Sequence, residues 1–370
     1  MKKFYINVAG GCGFNIAFCS WATEYKREHP NEVKFYVTSP YVDLFESCDA
    51  IDGIYKPNEI RDFIFDAKAN NGTLIMQRLY DMDGFIKKEL NYSEAWSDLL
   101  NLPRLEKPVT ANFENAKVKF PNITNQKNEV LKAIDKFDDF IIVQFWGGQS
   151  PLISVPTGQD EKGNKFPDWR QVPYNYENEP LKRHYPIEKA QKFVELYMKE
   201  HPNTAIIQYS LPNEPMLKGD NIVHATVPYL CYYELAKDDK CKGIVSIDSS
   251  LPHLTAGLTK AVVIWAHSSN DRNKSERQVY FPFGYEYNVN VVQPCRRDDV
   301  LFFSALGPSS AKVDYIEPDD LLEIVKTSLC PEADGGIYEY KDGKYVKHIK
   351  ESPLGIKGKK EELENESEAD

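Results

Sequence analysis

The sequence predicts an α/β protein built as two successive parallel-sheet units. Short apolar runs alternate with amphipathic stretches through most of the chain, the pattern of strands joined by crossover helices. A polar segment at residues 108–136 interrupts this rhythm, which then restarts. The length, 370 residues at 42% hydrophobic and 27% charged, is that of an ordinary globular chain. At roughly 150 residues per domain it makes room for two.

In the first unit, residues 4–8 read as a strand leading into the glycine turn Gly10-Gly11-Cys12-Gly13. Residues 14–28 follow as a helix, 33–37 as a strand and 41–48 as a helix. A third strand, 72–77, is bounded by Asn70-Asn71-Gly72. A polar hinge is expected at 120–137. Beyond it, 140–145 is a buried-strand run, and 187–200 is a helix with Ala190, Phe193, Val194 and Tyr197 at helical spacing. Strands are expected at 204–209, 243–247 and 261–265, and helices at 229–236, from 251 to 258, and at 317–329. Residues 337–349 read as a hairpin around Asp342-Gly343. The domains are thus 1–125 and 137–330, with a hairpin extension at 331–354 and a disordered acidic tail at 355–370. Between 147 and 183, a stretch rich in Pro, Gly, Asp and Asn carries Phe166, Trp169, Tyr174 and Tyr176, and reads as a lid or binding loop, or else as a disordered segment or one that packs on its own domain.

Composition removes several classes. The formal charge of −11 argues against binding nucleic acid or anionic membrane through bulk positive charge. Seven scattered cysteines without a C-x-x-C pair are a reduced, cytoplasmic pattern, not a disulfide framework or zinc site. The N-terminus lacks the apolar run of a signal peptide. The longest purely apolar stretch, residues 261–266, is far short of the ~20 residues that span a bilayer.

The glycine turn lets backbone approach a ligand, or serves only as a tight turn. It is no dinucleotide fingerprint: Gly11-Cys12-Gly13-Phe14-Asn15-Ile16 lacks the third glycine, and Tyr36–Ser39 at the end of the second strand carries no ribose-binding acid. No Walker A sequence occurs. The segment from Ser246 to His267 reads as strand, polar turn, helix, turn and strand. Asp248, Ser249 and Ser250 sit where the helix begins, with His253 in its first turn. They offer hydroxyls and backbone N–H groups to an anion, or simply cap the helix around a satisfied histidine.

This segment resembles the donor-binding motif of the heptosyltransferases (glycosyltransferase family nine), D-[ST]-G-x-x-H-L-A-A-A-L. Asp248, Ser249, His253, Leu254, Ala256 and Leu258 match it, while Ser250 replaces the glycine and Thr255 and Gly257 replace alanines. Gly10-Gly11-Cys12-Gly13 resembles the family's G-G-x-G-D turn. Residues 141–148, ending in Trp146-Gly147-Gly148, resemble its strand and phosphate-proximal turn, and Lys182-Arg183-His184-Tyr185-Pro186 its K-R-W-P element. The resemblance covers roughly residues 4 to 329. It implies a GT-B fold, two Rossmann-like domains facing across a cleft. It also implies inverting transfer from a nucleotide-sugar to a hydroxyl, without metal or other cofactor. Trp146, Gly147, Gly148, Lys182, Arg183, Asp248, Ser249, Ser250 and His253 then bind the donor, with Lys182 or Arg183 on the diphosphate. Gly11, Gly13 and Asn15 line the acceptor side. A glycan or lipid-linked acceptor fits the charge better than nucleic acid.

The chain departs from the family where the aspartate after the glycine turn, the family's presumed base, is replaced by Phe14. Neither Phe14 nor Asn15 accepts a proton at neutral pH. Asp81 and Asp83, following the third strand, are the leading substitutes for the base, with a solvated acidic loop as the alternative. Asp43 and Glu46 are weaker candidates for the base, since they look like the exposed side of a helix. Asp81-Met82-Asp83 also spells the D-x-D of metal-dependent glycosyltransferases. Two further readings stand beside transfer: a catalytically silent nucleotide-sugar or glycan binder, and a phage-type enzyme acting on modified DNA bases.

Overall fold

The structure, a computed structural model, describes residues 1–87, 89–106, 109–146, 152–156, 169–173, 184–211, 214–265, 288–293 and 315–348. In chain order the first unit holds β1 (Lys2–Asn7), α1 (Cys12–Glu28), β2 (Val33–Thr38), α2 (Val42–Glu46), β3 (Gly53–Tyr55), α3 (Ile60–Ala69), β4 (Thr73–Ile75), α4 (Asp83–Ile86) and α5 (Tyr92–Leu99). Two helices follow: α6 (Ala116–Lys119), and α7 (Asn122–Ala133), which lies where the polar hinge was expected. The second unit holds β5 (Asp139–Gln144), β6 (Leu152–Pro156), β7 (Trp169–Pro173), α8 (Ile187–Glu200), β8 (Thr204–Tyr209), β9 (Ile222–Ala225), α9 (Tyr229–Ala236) and β10 (Cys241–Ile247). It continues through α10 (Ser250–Leu254), β11 (Ala261–Ile264), β12 (Val289–Val292), α11 (Pro318–Ser328), β13 (Gly336–Lys341) and β14 (Lys344–His348).

The first sheet is parallel, in the order β3-β2-β1-β4. The second runs β14-β13-β12-β11-β10-β5-β8-β9 and is parallel except for β14. Strand order therefore reverses between β1 and β4 and again between β5 and β10. Open α/β sheets hold ligands at such reversals, outside the carboxyl ends of the strands. The glycine turn follows β1 and Asp248-Ser249 follow β10, so each sits at one of the two crevices.

Three expectations change here. The hairpin is no appendage: β13 pairs with β12 and extends the second sheet, burying Ile337 and Tyr338. The long loop carries a two-stranded antiparallel ribbon, β6 with β7; Phe166, Tyr174 and Tyr176 lie outside the described residues, as does the tail. The helix expected over 251–258 is a single turn ending at Leu254. Chain direction changes at Gly257, where φ is +79°.

The two units share apolar contacts. Val109, Ala111 and Phe113 join Leu251, Leu254 and Ala256 in one buried cluster, and Ala111 N–H donates to the Ala256 carbonyl at 3.0 Å. A Cβ at Gly257 would lie 2.5 Å from Thr110 Cγ2. Ion pairs from Lys117 to Glu234 (2.8 Å), Lys127 to Asp238 (3.1 Å) and Glu114 to Lys237 tie the connecting segment to α9 and the turn after it. Gly257→Ala combines a left-handed backbone with this collision and should destabilise the protein by about 2–3 kcal/mol. Urea unfolding measures it; a change below about 0.5 kcal/mol would mean the segments part freely.

Candidate functional site

The first wall is the glycine turn. Asn15 is fully buried, and its amide donates to the carbonyls of Gly11 (2.9 Å) and Gly10 (3.3 Å). Its Oδ1 accepts from the Ser39 hydroxyl at 2.8 Å. Asn15 thus knits the turn to the end of β2 and does not line the acceptor side, contrary to expectation. Phe14 points into the first core, its ring 5.5 Å from Tyr92 and 5.4 Å from Trp96. The position that carries an acid in the resembled family is here part of that core. Gly13 abuts the second wall: a Cβ there would lie 2.8 Å from His253 Cδ2 and 3.3 Å from the Ser249 carbonyl. Gly11, by contrast, has open space around it.

The second wall is the end of β10 and the turn of helix after it. Ser249 caps that turn, its hydroxyl accepting from Leu251 N–H at 3.4 Å and donating to Gln144 Oε1 at 2.6 Å. The second contact bridges the crevice between β10 and β5. Asp248 and His253 are buried, and the His253 ring lies 6.3 Å from that of Tyr92 in the first unit. Thr255, at one of the two replaced alanines, donates its hydroxyl to the Leu251 carbonyl. Ser250 is half-exposed and reaches across to the thiol of Cys12 on the glycine turn.

Of the remaining donor-side candidates, Trp146 is 1% exposed and packs on Phe145, so it belongs to the core rather than the site. Gly147, Gly148, Lys182 and Arg183 lie outside the described residues. Their described neighbours Phe145 and Tyr185 are joined by a 3.0 Å backbone hydrogen bond beyond the end of β5.

The acids divide by surroundings. Asp81 is exposed and held by Arg78 through both oxygens, at 3.0 and 3.2 Å, which keeps its carboxyl below the usual range. Asp83 is exposed at the first residue of α4. Among the described residues, no group of three or more His, Cys, Asp or Glu side chains is arranged to hold a metal ion. Asp43 was expected on the solvent side of its helix, yet it is half-buried and faces the cleft. Burial first, and then the Asp43 charge, raises the pKa of Cys12 on the turn and of Tyr229 at the start of α9. Burial, followed by Asp43, pushes the Cys12 thiol up to about 12. The phenols of Tyr41 and Tyr209 also feel Cys12. No motif marked this cluster; its members lie on four separate elements and converge only in three dimensions.

Glu214, past the end of β8, is 6% exposed. One oxygen accepts from Leu211 N–H at 2.8 Å and the other is buried without a partner. Burial raises its pKa from 4.5 to about 7. The folded state therefore holds this proton more tightly than the unfolded chain, and stability declines as pH rises from about 4.5 to about 7. Glu214→Gln keeps the Leu211 contact and removes the charge. It should raise stability at pH 8 by at most about 3 kcal/mol and leave stability at pH 4 nearly unchanged. Thermal unfolding at the two pH values checks this; equal effects at both would refute the assignment.

No protein-family model and no curated protein sequence matches this chain. Solved structures do. The E. coli ADP-heptose LPS heptosyltransferase II matches with a TM-score of 0.54 at 11% identity, over 89% of this chain and 98% of that one. The glycosyl transferase family 9 protein from Veillonella parvula matches with a TM-score of 0.59 at 10% identity, over 89% of this chain and 97% of that one. The fold is thereby that of these two-domain α/β proteins, the GT-B architecture.

Proposed function

We propose that the protein is a glycosyltransferase that moves a sugar from a nucleotide-sugar to a hydroxyl, with inversion at the anomeric carbon. One observation carries the reading. The glycine turn after β1 and the Ser249–His253 segment after β10 are remote in sequence, yet they meet at Gly13 and His253, joining the ligand-binding edges of both sheets in one cleft. The heptosyltransferase named above shares the fold and, by its name, acts with ADP-heptose.

In this reading the second unit holds the donor. The Ser250 hydroxyl and the cations Lys182 or Arg183 stabilise the charge that develops on the diphosphate as it leaves. The first unit presents the acceptor, a glycan or lipid-linked hydroxyl. Attack on the face opposite the diphosphate forms the new C–O bond as the old one breaks. A fixed cleft holding both partners supplies much of the rate by orientation. Neutralisation by protein cations makes the reaction metal-independent. Among the described residues no helix is long and apolar enough to cross a membrane.

The burial of Phe14 favours a second reading, a nucleotide-sugar binder without turnover, since the core has claimed the position that carries an acid in the resembled family. Incubation with ADP-, UDP- and GDP-linked sugars in excess EDTA separates the two. Release of nucleoside diphosphate is expected for at least one donor; tight binding without release would establish the silent form.

A further inference from the structure

We propose that Asp43, set across the cleft from Tyr229, is the catalytic base that accepts the proton of the acceptor hydroxyl. This rests on the glycosyl-transfer reading and assigns the residue which that reading lacks. The base must come from the carboxyl edge of the first sheet, where Phe14 is buried in the core. Two groups of acids flank the glycine turn there, Asp43 and the exposed Glu46 after β2, and Asp81 and Asp83 after β4. Asp81 is committed to Arg78, an arrangement that opposes proton uptake. Asp83 stands exposed.

Asp43 differs in what surrounds it. It is half-buried and makes no ion pair among the described residues, so no fixed cation there competes for the proton it takes. The groups facing it come from both walls. Cys12 lies on the turn and reaches Ser250 on the donor side. Tyr229 opens α9 in the second unit, with Tyr41 and Tyr209 beyond Cys12. These are thiol and phenol groups, neutral at neutral pH.

The Tyr229 hydroxyl is sealed from solvent and makes no hydrogen bond of standard geometry. A phenol that has given up water strongly favours an acceptor. Asp43 is the acid close enough to raise its pKa, behind burial as the larger cause. The phenol already lies against the Asp43 side chain, so it can hold one carboxylate oxygen and leave the other for the substrate. Tyr229 is then a positioning residue, held in place by the ion pairs that fasten α9 to the connecting segment.

The step balances. The acceptor O–H gives its proton to Asp43 while its oxygen bonds to the anomeric carbon. The bond from that carbon to the diphosphate oxygen breaks, and its electron pair leaves with the nucleoside diphosphate. Asp43 returns the proton to water.

The test is nucleoside diphosphate release by the full chain from the ADP-, UDP- or GDP-linked sugar that the wild type turns over. Asp43→Asn should lower kcat by roughly 10²–10⁴-fold, with donor KM within about twofold and the melting temperature unchanged. Asp43→Glu should recover part of the rate. Tyr229→Phe should lower kcat about tenfold, and the double variant should be no slower than Asp43→Asn, as expected for residues that act as a unit. Wild-type rates in Asp43→Asn, or loss confined to Asp81→Asn or Asp83→Asn, would overturn the proposal. A wild type that neither binds nor cleaves any donor would instead defeat the transfer reading itself. The two failures are distinct.

Discussion

Alanine at Gly13 is expected to slow turnover about a hundredfold while the first unit stays folded. The local and tertiary effects have opposite signs. In the first turn of α1, alanine is a better helix former than glycine by about 1 kcal/mol, so the helix itself gains. The new Cβ, however, would lie 2.8 Å from His253 Cδ2 and 3.3 Å from the Ser249 carbonyl. His253 is buried, and the Ser249 oxygen belongs to a backbone whose side chain is already bound to Gln144, so neither yields freely. The walls must separate by a fraction of an ångström to an ångström, a displacement that costs about 10²-fold in an oriented reaction. Steady-state kinetics alongside thermal unfolding read both effects. Unchanged turnover would show that the Gly13–His253 contact does not set the catalytic geometry.

Removing both cations at Lys182 and Arg183 should raise the donor KM by roughly two orders of magnitude or more. Each hydrogen bond to a charged group contributes about 1.5–3 kcal/mol, and a diphosphate without metal leans on such bonds. The loss should grow weaker as salt rises, since screened charges contribute less. Titration of the Lys182→Ala, Arg183→Ala double variant with nucleoside diphosphate measures it directly. Equal affinity in wild type and variant would remove the pair from the donor site.

Apolar runs made β8 and α9, and helical spacing of apolar residues made α8, legible in the sequence to the residue. Helices α3, α5 and α7 escaped. So did strands with weak local signals: β3 has three residues, β12 carries Asn290 at its centre, and β9 carries His224. Their pairing is decided by neighbours already in the sheet, which a local window does not contain. In the site, motif order located the glycine turn and the Ser249–His253 segment, because both are strand-to-helix junctions. It did not show which way side chains point. Asn15 and Trp146 lie in the motifs and turn inward, while Asp43 lies on a five-residue helix and approaches Tyr229 of the second unit, although Glu46 on the same helix is exposed. For so short a helix, hydrophobic periodicity cannot separate solvent from cleft.

Both donor and acceptor are proposed to occupy one cleft between the two units, and a crystal structure with a bound nucleotide-sugar would locate them. The diphosphate is expected beside Ser250, with the anomeric carbon opening toward Cys12 and an acceptor position within about 3 Å of Asp43. A nucleotide-sugar bound elsewhere, with Ser250 and Asp43 both remote from its anomeric carbon, would contradict it.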